Sequence, residues 1–263
     1  MTGRLAVLLT LAAATAAAGQ DLGARVAAAP DGQVRFSYGA RPGVYGDGRN
    51  SISWDCRDGR CRNRQGEGNY SDGDDWHSAC DSGPVRVALT VRGGAVTHLR
   101  AYVGGAWRPT TDAVDLGTVS TRAATDFLLG LARTGSRAGR EAILPATLAD
   151  SVTIWPDLLR LARDPRLHQE TRKSAVFWLA QAAGAAATQG LSDLVDDTST
   201  DVEVKKSAVF AMSQLPHEDG VPALIRVARG NKSPAVRKSA LFWLGQTNDP
   251  RAIALFEEIL TKP

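Results

Sequence analysis

RKSAVFWLAQ, residues 172–181, decides how the C-terminal half of this 263-residue chain is read. It returns as KKSAVFAMSQ at 205–214 and as RKSALFWLGQ at 237–246, so Lys173, Lys206 and Lys238 stand in register at spacings of 33 and 32 residues. A weaker copy, Arg140-Glu141-Ala142-Ile143-Leu144, lies another 33 residues upstream of Lys173. Second helical segments are expected at 155–163, 191–196, 221–229 and 252–260. A fixed period of about 30 residues with two helices per period is the pattern of an α-solenoid, whose units bury their apolar faces only against their neighbours.

Each copy divides into stripes. In the third, Val236, Ala240, Trp243 and Leu244 are spaced i, i+4, i+7, i+8 and form one helix face, for which packing is sufficient explanation. Ala175, Ala208 and Ala240 are small enough for a neighbouring helix to approach. Arg172, Lys205 and Arg237 sit near helix starts, where the dipole disfavours a cation, so they need partners elsewhere. The remaining stripe is Lys173, Phe177, Gln181; Lys206, Phe210, Gln214; and Lys238, Phe242, Gln246, each trio at i, i+4, i+8. Two readings stand. The phenylalanines can be interior with the lysines snorkelling to water, or the trios can form ridges of ammonium, ring and amide that receive a protein or peptide partner. The second assigns all nine residues to partner binding.

The residues Asp201-x-x-Val204-Lys205-Lys206-Ser207-Ala208 and Ser233-Pro234-Ala235-Val236-Arg237-Lys238-Ser239-Ala240, with Asn248-Asp249-Pro250-Arg251-Ala252 after the second, resemble the HEAT-like repeats first associated with phycobilisome lyases. The resemblance spans about residues 136–263 and implies stacked helix pairs. It implies a scaffold, an adaptor or a lyase-accessory role without choosing among them. It also implies that the first basic residue of each copy bonds acidic or carbonyl groups of adjacent repeats. Two departures loosen the register: the Ala-rich stretch 182–188, where a tight turn is usual, and Pro145 inside the first helix.

The N-terminal half obeys a period of two. Val34, Phe36 and Tyr38 alternate with polar residues, and Val85 to Arg92, Gly93-Gly94 and Val96 to Val103 read as a hairpin with a primed turn. This predicts a small antiparallel β module of four or five strands with a long polar loop at 62–84. The class is therefore α+β, a β module followed by an α-solenoid of HEAT-like helix pairs. The expected boundaries are 1–19, 20–115 and 116–263, with strong repeats from about residue 166. Ser120 or Thr121 is expected to cap the helix that opens the second part.

Residues 1–19 read as an export signal. Arg4 precedes a stretch rich in Ala and Leu that ends in small residues, too short to span a membrane stably. A periplasmic or secreted protein is expected. In such a compartment Cys56 and Cys61, which flank Arg57-Asp58-Gly59-Arg60, are placed to face each other across a hairpin and form a disulfide, leaving Cys80 over.

Chemistry is sparse. His77, His98, His168 and His217 are scattered without metal-ligand spacing, and the paired His-Glu elements of di-iron HEAT-like hydroxylases are missing. Asp72, Asp74 and Asp75 form the one carboxylate cluster, read as a solvated turn. A net charge of +3 with interspersed signs gives no nucleic-acid footprint. No metal or cofactor is assigned. The expectation is an exported protein-interaction scaffold or adaptor rather than an enzyme. The alternatives are a metal- or ligand-binding site or active site in the Gly/Asp/Trp-rich loop, and a lyase-accessory protein.

Overall fold

The computed structural model describes residues 21–46, 48, 52–53, 56–57, 60–62, 76–78, 81–181 and 185–261. Contacts divide the chain into two compact units, 1–127 and 128–263.

In the first unit, β7 (Val85–Arg92) and β8 (Ala95–Val103) form the expected hairpin. Gly93 and Gly94 turn it at φ of +56° and +74°, a conformation that side chains with a Cβ resist. β7 pairs antiparallel with β1 (Gly32–Tyr38), and β9 (Val114–Thr118) lies on the other side of β1, giving the order β8-β7-β1-β9. β9 runs parallel to β1, so the sheet is mixed rather than antiparallel. Val114-Asp115-Leu116-Gly117-Thr118 is too short and too polar to announce itself. Tertiary pairing makes it a strand, anchored by Arg35 Nε donating to Asp115 at 2.9 Å and by Val119 N–H donating to the Ser37 carbonyl at 2.8 Å. One sheet face is apolar: Val34, Phe36, Val85, Val87, Leu89 and Val91 are buried, and Phe36 meets Phe127 edge-on at 5.9 Å. The helix α1 (Leu22–Ala27) buries Leu22 and Val26.

Short pairings complete this unit: β2 (Tyr45–Gly46) with β3 (Ile52–Ser53), and β4 (Cys56–Arg57) with β5 (Arg60–Arg62) and β6 (Trp76–Ser78). Cys56 stands opposite Cys61, and Arg57 opposite Arg60, which is the backbone register the disulfide expectation requires. The sulfur atoms lie outside the described residues. So do the export segment 1–19, Cys80, and the cluster Asp72, Asp74 and Asp75.

α2 (Thr121–Ala132) opens as expected, with Ser120 Oγ accepting from the Ala123 N–H at 3.1 Å. In the second unit the weak first copy splits into two short helices, α3 (Arg137–Glu141) and α4 (Ile143–Thr147), because Pro145 lacks the N–H that a continuous helix needs. Then come α5 (Trp155–Arg163), α6 (Gln169–Gln181), α7 (Ala185–Asp196), α8 (Val202–Ser213), α9 (His217–Gly230), α10 (Pro234–Leu244) and α11 (Pro250–Thr261). The decapeptides occupy α6, α8 and α10, which pack side by side in sequence order. Val176, Leu179, Val204, Ala208, Met212, Val236, Ala240 and Leu244 are all buried, so the Val/Ala/Leu stripe is the core of the stack.

Candidate functional site

The first basic residue of each decapeptide behaves differently in the three helices. Arg172 is 3 % exposed; its Nε donates to the Ala162 carbonyl at 3.0 Å and its guanidinium pairs with Asp201, the residue that starts α8. That is the inter-repeat rung the resemblance implied. Arg237 instead donates to the Asn231 carbonyl at 2.7 Å, within the turn leading into its own helix. Lys205 is 8 % exposed, and its ammonium has no hydrogen-bond or ion-pair partner among the described residues. The residue that starts α10 is Ser233, which offers Lys205 no carboxylate.

Buried Asn231 joins repeats in another way, its amide donating to the Val195 carbonyl at the end of α7 at 3.1 Å. The second helices are linked at the surface: Arg163 to Asp193 at 3.9 Å, Arg226 to Asp196 at 2.6 Å, and Arg229 to Glu258 at 2.5 Å. Exposed pairs of this kind are worth at most about 1 kcal/mol each, so they set orientation more than stability. Asp249 is gripped by Arg251, first through the guanidinium and then through the backbone N–H, which holds its carboxyl at about 2; Arg166 does the same to Asp164.

The Lys-Phe-Gln trios reach the surface. Phe177 is 41 % exposed and Phe242 57 %, while Phe210 is half-buried. Gln181, Gln214 and Gln246 are exposed. These helices therefore place all three trios on the side away from the Val/Ala/Leu core. Lys173 and Lys206 pair with acids one turn earlier in their own helices, Glu170 at 3.2 Å and Glu203 at 3.1 Å. α10 carries Ala235 at that position, and Lys238 is exposed with no ion pair among the described residues.

The aromatic strip is wider than the sequence pattern indicated. Trp243, expected on the core face, and its counterpart Trp178 are both half-exposed. Trp178 stands perpendicular to Phe177 at 5.0 Å and Trp243 perpendicular to Phe242 at 5.0 Å. Trp243 also meets Phe210 of the preceding repeat at 4.9 Å, bridging α8 and α10. Where α6 and α10 have tryptophan, α8 has Ala211, which is buried. The surface is thus a strip of rings bordered by ammonium and amide groups, able to bury apolar side chains and to hydrogen-bond polar ones.

Among the described residues the β unit holds an aromatic-basic cluster. Trp107 receives the guanidiniums of Arg35 at 4.9 Å and Arg86 at 5.0 Å, and meets Tyr102 edge-on at 6.0 Å. Both cations are otherwise engaged, Arg35 with Asp115 and Arg86 with the Gly105 carbonyl at 2.9 Å, so the cluster serves local structure. Among the described residues no group of three or more His, Cys, Asp or Glu side chains could hold a metal ion, and no helix is long and apolar enough to cross a membrane.

Residues 197–263 match the family of HEAT repeats. Over that span the helix pairs are HEAT-like repeats. No curated protein sequence matches the chain. Among solved structures, a chain from the complex of CpcE and CpcF of phycocyanin lyase from Nostoc sp. PCC7120 is similar, at 16 % identity and a TM-score of 0.35, over 54 % of this chain and 91 % of that one. The family match covers α8 to α11, which include two of the three HEAT-like decapeptides.

Proposed function

We propose that the HEAT-like unit is a protein-recognition scaffold, and that the surface formed by Lys173, Phe177, Gln181, Lys206, Phe210, Gln214, Lys238, Phe242 and Gln246 receives its partner. The observation that carries this reading is the exposure of Phe177 and Phe242 at the same register of α6 and α10, on either side of the half-buried Phe210 and beside exposed glutamines. Phe177 and Phe242 pack edge-on against Trp178 and Trp243 and still leave much of each ring to solvent, an apolar patch rimmed by polar groups of the kind that marks an interaction surface. Aromatic anchors surrounded by polar groups are the usual centre of a protein interface. The expected occupant is a protein or peptide rather than nucleic acid, because Lys173 and Lys206 are already compensated within their own helices.

Export to the periplasm or the medium, and a Cys56–Cys61 disulfide, belong to the same proposal. They rest on the Ala/Leu-rich start of the chain and on the facing register of the two cysteines.

The test is capture from an envelope extract by the full-length chain, compared with Phe177→Ser/Phe242→Ser and with Lys173, Lys206 and Lys238 all changed to Glu. A protein retained by the native chain and lost from both variants, with their melting curves still cooperative, supports the reading. Retention of the same proteins by both variants rejects it. Phe210 is left unchanged because its packing on Trp243 would mix stability with binding.

A further inference from the structure

α11 presents a second apolar surface that the recognition strip does not include. Ile253 is 53 % exposed, Ile259 49 % and Leu260 84 %. Lys206 and Lys238 are 32 residues apart, and the same offset superposes α11 on α9. Ile253 then falls on Val221, Ile259 on Val227 and Leu260 on Ala228, which are 2 %, 1 % and 9 % exposed. The three positions that α9 buries within the stack are the three that α11 leaves open, with larger side chains at each. Among the described residues nothing covers these positions on α11, whereas the equivalent surface of α9 is packed within the stack.

We propose that this face is the contact through which a second copy of the chain docks, end to end about a two-fold axis. The face extends an established repeat-to-repeat interface, so its natural complement is another helix pair of the same build, and a two-fold arrangement lets one patch serve both partners. Ile253 and Leu260 are seven residues apart, about 10 Å along one side of the helix. An antiparallel pairing of the two α11 helices sets Ile253 of one copy beside Leu260 of the other. Ile259 and the half-buried Phe256 widen the contact. The dimer leaves α6 and α8 uncovered, so this inference is independent of the recognition strip there.

Sedimentation velocity of the full-length chain over a wide range of concentration tests this. The native chain is expected to sediment with the mass of two chains and to dissociate on dilution. Ile253→Lys/Leu260→Lys is expected to sediment as a single chain with an unchanged helical circular dichroism spectrum. The milder Leu260→Gln, expected to weaken association at least tenfold, replaces it if the double variant fails to fold. Phe177→Ser is expected to leave the dimer intact. A native chain that is single at every concentration reached overturns the proposal. So does a dimer that survives in the folded lysine or glutamine variant, or one that disappears in Phe177→Ser.

Discussion

α8 and α10 carry nearly the same decapeptide, yet the helix pairs they open, α8–α9 and α10–α11, are held differently. In α8–α9 the basic residue Lys205 is buried, Phe210 leans on Trp243 of the next repeat, and Val221 and Val227 are covered. In α10–α11 the matching Arg237 turns back to its own turn, Phe242 is the most exposed of the three rings, and Ile253 and Ile259 face water. A repeat motif specifies a helix and its core stripe. Whether the remaining side chains are buried depends on which neighbour lies against them.

The largest effect should separate the two pairs directly. Leu224 in α9 is fully buried, so Leu224→Ala is expected to cost roughly 2–5 kcal/mol of unfolding free energy by chemical denaturation. Leu260→Ala in α11, measured at a concentration where the chain is monomeric, is expected to cost less than about 0.5 kcal/mol. Equal losses would abolish the distinction between the interior and the outer pair.

A smaller effect tests the rungs. Asp201→Asn leaves the buried guanidinium of Arg172 with the Ala162 carbonyl but no carboxylate, and is expected to cost about 1.5–3 kcal/mol. Ser233→Asp makes the converse change, offering Lys205 the acid that Arg172 already has. A gain of about 0.5–1 kcal/mol is expected, and a loss would show that the two junctions are not equivalent.

The smallest effect concerns acid. Asp249, at the turn between α10 and α11, titrates at about 2 in the folded chain against an ordinary 3.8, mainly through the Arg251 guanidinium. A folded value below the unfolded one adds stability that is fully present above the ordinary value and is lost as pH falls towards about 2. The melting temperature of Asp249→Asn should therefore fall less steeply across that window than that of the native chain. An identical slope would mean that the grip of Arg251 on Asp249 contributes nothing to folding.

The positions of the helices were legible because 3.6-residue periodicity and the 33- and 32-residue spacings are local properties of the chain. The hairpin Val85–Val103 was legible for the same reason, with Gly93-Gly94 supplying its turn. β9 was not. Val114–Thr118 has no strand signal of its own and becomes one by lying along β1. Of the candidate surface, the Lys-Phe-Gln register could be read directly, but its exposure could not, since the same spacing serves a core stripe and a surface stripe equally. The spacing of Trp243 likewise fits a core face, and its ring, like that of Trp178, is only half-buried.

Sequence alone therefore determined the α+β order, the helix-pair repeat, and the division of each decapeptide into faces, all of which depend on residues within a few turns of one another. Only the tertiary structure decided which faces are covered. It decided that Arg172 reaches Asp201 while Lys205 reaches no acid, that Phe177 and Phe242 stay in water, and that Ile253, Ile259 and Leu260 continue a packing surface beyond its last neighbour. Burial is a relation between segments distant in the chain, so a local pattern can name the candidates for it but cannot say which of them are met.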